Sequence, residues 1–405
     1  MLRLGIVFFA VSVAPAADWP QFRGPTSDGH YTGPKLPTEW GPDTNFAWKT
    51  PIPGKGWSSP IVSNGKVFLT TAVPAGGGLS LRVVCIDATT GKPDWNVEAR
   101  KADGSPHAHP KNSHASPTPV ADGKHVYAHF GHFGTAALDF KGKVVWAVPG
   151  LYRQPVHGNG GSPVLADGLL VFSGDGADKQ FVAALDAASG KTVWEQPRNN
   201  RVEKPFSFGT PTVAEVGGKK QVVSQGSNVI AGHDLATGRE LWRATFDGYS
   251  VIPKPVVAGG KVYFSTGFDR PVTKAVRLGG SGDVTRTHVE WTQTRAATQI
   301  ASPLLVGGEL YVVSDNGIVS CLDAGTGEVI WSERLKGGYS ASPLYADDKI
   351  YLTSEEGKGT LLAAGRKKEI LGEFDMKEKT FASFAAADGA LYVRTETRLY
   401  KFARP

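Results

Sequence analysis

The chain has 405 residues, 44 Lys plus Arg against 38 Asp plus Glu, and a formal net charge of +6. With 50 Gly, 27 Pro and few runs of helical period it is not a helical protein, and at 40% hydrophobic residues it is not a disordered one. Its basic residues are scattered rather than clustered, so the charge leaves no footprint for nucleic acid.

In chain order, residues 1–17 carry Arg3, an apolar run from Leu4 to Val13, and the small-residue step Ala14-Pro15-Ala16. That is the layout of a secretory signal, and the run is too short to span a bilayer. A periplasmic or secreted protein with no membrane span is therefore expected, and no Cys near the cleavage step offers a lipid attachment point. Residues 18–44 form a Pro-rich extended segment. Within it Trp19-Pro20-Gln21-Phe22-Arg23-Gly24-Pro25 is followed by Asp28-Gly29. Residues 45–405 are read as one domain, beginning with a strand-like Asn45-Phe46-Ala47-Trp48-Lys49.

From there one phrase recurs eight times. It starts with a step at Ser59-Pro60, Ser116-Pro117, Ser162-Pro163, Thr210-Pro211, Lys254-Pro255, Ser302-Pro303 and Ser342-Pro343, and in degenerate form at Ser383-Phe384. A Gly turn follows, such as Asn64-Gly65 or Asp167-Gly168, and then an alternating β-branched run such as Leu170-Val171-Phe172. A third run ends in an acidic turn, as in Asp186-Ala-Ala-Ser-Gly190-Lys191, and each unit closes on an aromatic: Trp95, Trp146, Trp194, Trp242, Trp291, Trp331 and Phe374.

Four strands in a repeat of about 40–57 residues make a β-propeller blade. The predicted fold is an all-β, eight-bladed propeller of four-stranded antiparallel blades. The eighth unit runs out of chain before its own Trp, so the N-terminal strand at Asn45–Lys49 is expected to complete it and close the ring. Cys85 and Cys321 hold the same repeat position in blades one and six, too far apart to bond, and are read as inert buried thiols.

In such blades the linkers between units and the turns between second and third strands share one face. Those loops are irregular, whereas the turns of the opposite face are uniform, so function is expected on the irregular face. Six of the ten His lie in its blade-two and blade-three loops: His107, His109, His114, His129, His132 and His157. Two readings stand. His114, His129, His132 and His157 are metal ligands or proton carriers, or the set is a group of loop and channel-lining hydrogen-bonders; the spacing matches no zinc pattern. Trp57 is placed near the channel mouth. Arg153, Asp269 and Arg270, with His107 and His109, are assigned to a partner-binding face. Asp175, Asp178 and Asp315-Asn316 are read first as turn formers.

The repeat resembles the tryptophan-docked repeat of pyrroloquinoline-quinone (PQQ)-type β-propellers, from about residue 45 to 402. Its single-ring, exported form is similar to BamB-like propellers. That resemblance implies a non-catalytic scaffold offering one face to a protein, peptide or glycan, and a monomer is expected. The alternative it implies is a PQQ- or metal-dependent oxidoreductase at the channel mouth, with Trp57 stacking on the quinone and calcium beside it. The quinoprotein dehydrogenases add an adjacent Cys-Cys disulfide, which this chain lacks.

Overall fold

Every repeat folds into four antiparallel strands, because Gly-containing turns reverse the chain after each β-branched and aromatic run. The computed structural model describes residues 18–104, 107–200 and 202–404; the expected export signal at 1–17 lies outside them. Among the described residues, one three-residue turn at Gly131–Phe133 is the helical content, and no helix is long and apolar enough to cross a membrane.

Eight sheets close into a propeller ring, as the repeat predicts. Blades 1 to 7 run from Ile61 to Ala102, Val120 to Val148, Val164 to Pro197, Thr212 to Thr245, Val256 to Gln293, Leu304 to Arg334 and Leu344 to Asp375. Blade 8 takes its inner strands from Ala385–Ala387, Ala390–Arg394 and Arg398–Ala403. Its outer strand is Phe46–Pro51, antiparallel to Arg398–Ala403 with Lys49 opposite Tyr400. The N-terminal strand thus covers an edge that would otherwise present unpaired main-chain groups.

Neighbouring blades are joined by the repeated Trp. Trp194 Nε1 donates to Leu235 O at 3.0 Å, and the same bond joins Trp48 to Ala88, Trp95 to Phe140, Trp146 to Ala187, Trp291 to Ala324 and Trp331 to Gly365. The receiving turn needs glycine: Gly238 has φ +72°, and a Cβ there would come within 2.5 Å of the Trp194 ring. Blade 4 departs from the pattern, and the corresponding segment of blade 5 is Arg277-Leu278-Gly279-Gly280-Ser281-Gly282. Trp242 Nε1 turns instead to Gln221 Oε1 at 3.0 Å, and Gly282–Asp283 runs parallel beside Trp242 and Arg243.

Blade 7 corrects one expectation. The residue at the Trp register is Gly372, opposite Leu361, while Phe374 lies two residues on and folds its ring over Gly372. The missing indole comes from the N-terminal segment: Trp40 packs on Phe374 at 4.2 Å and edge-on to Phe384 at 5.8 Å between centroids.

That segment also plugs the ring. Trp19 and Val62 exchange amide bonds at 2.9 Å, Asp18 accepts from Ser63 and Asn64, and Ala121 N donates to Pro20 O at 2.8 Å. The chain then crosses to the far side, where Tyr345 N donates to Gly29 O at 2.9 Å and His30–Tyr31 pairs in parallel with Tyr345–Ala346. These partners lie on innermost strands or, for Asn64, in the turn that follows one, so residues 18–31 lie across the channel at its uniform-turn end.

Removing residues 18–51 takes Trp19, Trp40 and Trp48 out of the buried core and reopens blade 8. Such a truncate is expected to lose its cooperative urea transition, and Trp40→Ala alone to cost about 3–5 kcal/mol. An unchanged transition in the truncate would refute closure by this segment.

Candidate functional site

On the irregular-loop face a funnel of about 710 Å³ opens along the ring axis, with lining residues from the linker before every blade. Its narrow part is a belt of hydroxyls. The amide of Ser59 donates to Thr118 Oγ1, Thr118 to Ser162 Oγ, and Ser162 to Thr210 Oγ1, each at 2.9 Å. After one break, Lys254 N donates to Ser302 Oγ, Ser302 to Ser342, Ser342 to Ser383, and Ser383 back to Ser59, at 2.8–3.1 Å. The repeated Ser-Pro step therefore places one hydroxyl per blade where the preceding blade's amide needs an acceptor.

The belt corrects the second copy of the step. Thr118-Pro119, and not Ser116-Pro117, holds the position, since it directly precedes the innermost strand Val120–Ala121 as Ser59-Pro60 precedes Ile61. Sequence alone offered both dipeptides, and only adjacency to the strand tells them apart.

The break falls at blade 5, where Lys254 replaces the hydroxyl residue. Its side chain is 1% exposed and its ammonium donates to Ser27 Oγ at 2.6 Å and Pro211 O at 2.9 Å, which ties the plug to the ring. The plug's Phe22 forms part of the funnel lining. Beside Lys254 lies Arg23, also buried, whose Nη2 donates to Asp28 O at 2.5 Å.

Higher up, the wall is aromatic. Trp57 packs on Phe381 at 4.7 Å, and its Nε1 is buried without a partner. His157 meets Phe206 edge-on at 5.2 Å, Phe206 meets Tyr249 at 5.8 Å, and Tyr249 meets Phe268 at 5.9 Å. Lys204 lies 4.2 Å over the Tyr249 ring and donates to its hydroxyl. Lys111, from the linker before blade 2, reaches Glu355 of blade 7 at 2.8 Å.

The four imidazoles considered as a metal set do not converge. His129, at the end of a strand, turns into the blade interface, where it pairs with Thr135 Oγ1 at 2.9 Å and lies on Phe172 at 4.2 Å; burial pushes its pKa down to about 3. His132 donates from Nδ1 to Asn159 Oδ1 at 3.1 Å and covers Phe133, whose ring also meets His114 at 5.6 Å. His157 alone of the four lines the funnel, beside His109 at 5.6 Å. Among the described residues no three His, Cys, Asp or Glu side chains are grouped so as to hold a metal.

The remaining candidates separate by exposure. His107, Arg153, Asp269 and Arg270 are exposed on this face, and His109 is exposed while lining the funnel. Asp178 is a turn former, accepting the amides of Arg153 and Gln154. Asp175 is buried and paired with Arg198 at 2.6 Å. Cys85 and Cys321 are buried free thiols, with burial raising them to about 12 and about 11. The residues that sequence reasoning missed are Phe206, Phe208 and Tyr249, because isolated aromatics in linkers carry no periodic signal.

A quinone with calcium does not fit this donor set. Among the described residues Asp315 is the one carboxylate lining the funnel. Its Oδ1 is taken by the amides of Gln299 and Ile300 at 3.0 and 3.2 Å, and burial raises its carboxyl to about 6.

A family model described as outer membrane protein assembly factor BamB matches residues 39–177, 178–299 and 280–368. The BamB of Burkholderia pseudomallei is 26% identical over 290 residues, covering 68% of this chain and 66% of that protein. The BamB of Shewanella oneidensis is 26% identical over 170 residues, 39% of this chain and 40% of that protein. The matched part thus spans less than two thirds of either relative. Among solved structures, BamB from Moraxella catarrhalis superposes with a TM-score of 0.62 at 14% identity, covering 89% of this chain and 97% of that one. A europium-containing methanol dehydrogenase gives 0.69 at 11% identity, covering 96% and 98%. At these identities the structural likeness shows the fold alone.

The buried lysine gives the funnel floor a pH signature. Burial, with Arg23 adding to it, lowers Lys254 from 10.5 to about 7. Between those values the unfolded chain binds the proton and the folded one does not, so this residue makes stability rise with pH from about 7 toward 10. The difference in urea midpoint between Lys254→Met and the parent should shrink or invert across that window; parallel pH profiles would refute the assignment.

Proposed function

Because the chain belongs to the family described as outer membrane protein assembly factor BamB, we propose that it is an exported, non-catalytic binding propeller that presents its irregular loop face to a polypeptide partner. The observation that carries this reading is the rim of that face. Exposed charges of both signs, Asp269 and Arg270, directly follow Phe268, which is 48% exposed although it belongs to the aromatic wall, and Arg153 is exposed elsewhere on the same face.

An exposed aromatic flanked by charges supplies what a protein contact needs: an apolar anchor for affinity and charges for orientation and encounter rate. The closed ring beneath holds these loops without prior ordering, which lowers the entropy cost of binding. The outer strands present exposed Phe46, Val145, Val193 and Val329 singly and Ile370 with Leu371 as a pair, dispersed around the circumference, which is ordinary surface. The relatives' name directs the choice of partner to test, a polypeptide bound for the outer membrane.

A urea-unfolded outer-membrane β-barrel polypeptide, diluted onto immobilised protein, should bind the parent. It should bind a Phe268→Glu, Arg270→Glu double variant at least about tenfold more weakly. Lys124→Glu, in a turn on the opposite face, should change nothing. Equal losses from the two faces, or none from the rim, would overturn the proposal.

A further inference from the structure

The funnel carries more hydrogen-bonding capacity than the protein uses. Each of the seven belt oxygens, Ser59, Thr118, Ser162, Thr210, Ser302, Ser342 and Ser383, accepts one amide and makes no other hydrogen bond to the described residues. A hydroxyl holds one donor and two lone pairs. Seven O–H donors, each with a spare lone pair, therefore remain around one narrow circle of the lining. Trp57 Nε1 and His157 Nδ1 add two buried nitrogens without partners in the same cavity.

The charges that line the funnel are already engaged. Lys111 is paired with Glu355, and Lys204 is bonded to Tyr249. His157 is held below its ordinary pKa by burial and by His109 and His107, which favours the neutral ring. Asp315 keeps its second oxygen as an acceptor, since only Oδ1 is used. The one lining lysine without a carboxylate partner, Lys204, is exposed on the upper wall, so an anion would meet the Asp315 carboxylate and, among the described residues, no lining cation at the hydroxyl belt, and a cation would meet a circle of hydroxyl protons.

Two aromatic surfaces complete the space. Trp57 and Phe381 sit in the linkers entering blades 1 and 8; Tyr249 and Phe206 sit in those entering blades 5 and 4. In an eight-membered ring these are opposite pairs, so flat apolar groups face each other across the axis.

We infer that the funnel is a binding site for the uncharged end of a saccharide. A pyranose has hydroxyls around its edge, each able to give and take a hydrogen bond, and C–H faces above and below. Neutral, rotatable hydroxyl partners with aromatic walls match that chemistry group for group, and the volume lies within the range of about 300–1,000 Å³ of small-molecule sites. The site uses the hydroxyl belt and the Trp57 and Tyr249 walls of the funnel, whereas the polypeptide proposal uses the rim, and Phe268 borders both.

The test is calorimetric titration of the intact protein with maltotriose, cellotriose and triacetylchitotriose. At least one is expected to bind at millimolar or lower concentration, and Trp57→Ala to weaken it at least about tenfold. Tyr249→Ala, a partly exposed position, is expected to do the same with an unchanged melting curve, which keeps the test valid if Trp57→Ala misfolds. No heat from all three sugars, binding indifferent to both variants, or binding of PQQ with calcium in their place would overturn the inference. Loss of the sugar site with polypeptide binding intact would leave the rim proposal standing, and the reverse result would remove that proposal alone.

Discussion

The belt of amide-to-hydroxyl bonds around the channel is the constraint from which the rest of the molecule follows. Eight innermost strands converge on one axis, and the linker entering each strand has a buried amide that needs an acceptor where no strand can supply one. A Ser or Thr from the next blade fills that need, and the following Pro presents no amide of its own. The small residues before several copies of the step, such as Ala301, Ala341 and Ala382, are buried where the strands crowd together. One residue type at one position thus fixes both the angular order of the blades and the polar character of the cavity.

Where the belt is interrupted, the N-terminal segment compensates. Lys254 cannot accept the amide of Thr210, but its ammonium reaches the plug at Ser27. The same segment then supplies an indole to blade 7 and a strand to blade 8. A single stretch of chain repairs three departures from the repeat, so truncation is expected to act on the whole ring and not on one blade.

The architecture was legible in the sequence because a propeller repeats its local chemistry. Ser-Pro steps, Gly turns and closing Trp residues each specify one local geometry, and the blade count and closing strand follow from their spacing. The departures were harder to read. Thr118-Pro119 was hidden beside a second, identical-looking dipeptide. Trp40 stands in for a missing residue more than 300 positions away in the chain, a substitution that only the register of Gly372 discloses. The histidines were legible as loop residues but not as a site, because strand alternation sends His129 into a blade interface while His157 turns toward the axis. The aromatic wall is assembled from separate linkers, and nothing local marks it.

The distribution of buried charge separates the funnel from its surroundings. Arg23, Lys254 and Arg394 are all buried without a bound carboxylate side chain, and burial lowers them to about 10, about 7 and about 9. Arg394 donates to Ser58 O at 2.9 Å and to its hydroxyl at 2.6 Å, across the seam where blade 8 meets blade 1. Lys254 and Arg23 lie at the plug. Uncompensated cations of this kind cost several kcal/mol each unless carbonyls and hydroxyls solvate them, and here they bind the joints on which ring closure depends. They serve closure and sit outside the funnel lining, so their charge is spent on the protein's own oxygens. The narrow part of the cavity above is left with neutral hydroxyl donors, the two lining lysines being held higher up by Glu355 and Tyr249, and the uncharged, oxygen-rich guest we propose follows from how the ring is closed.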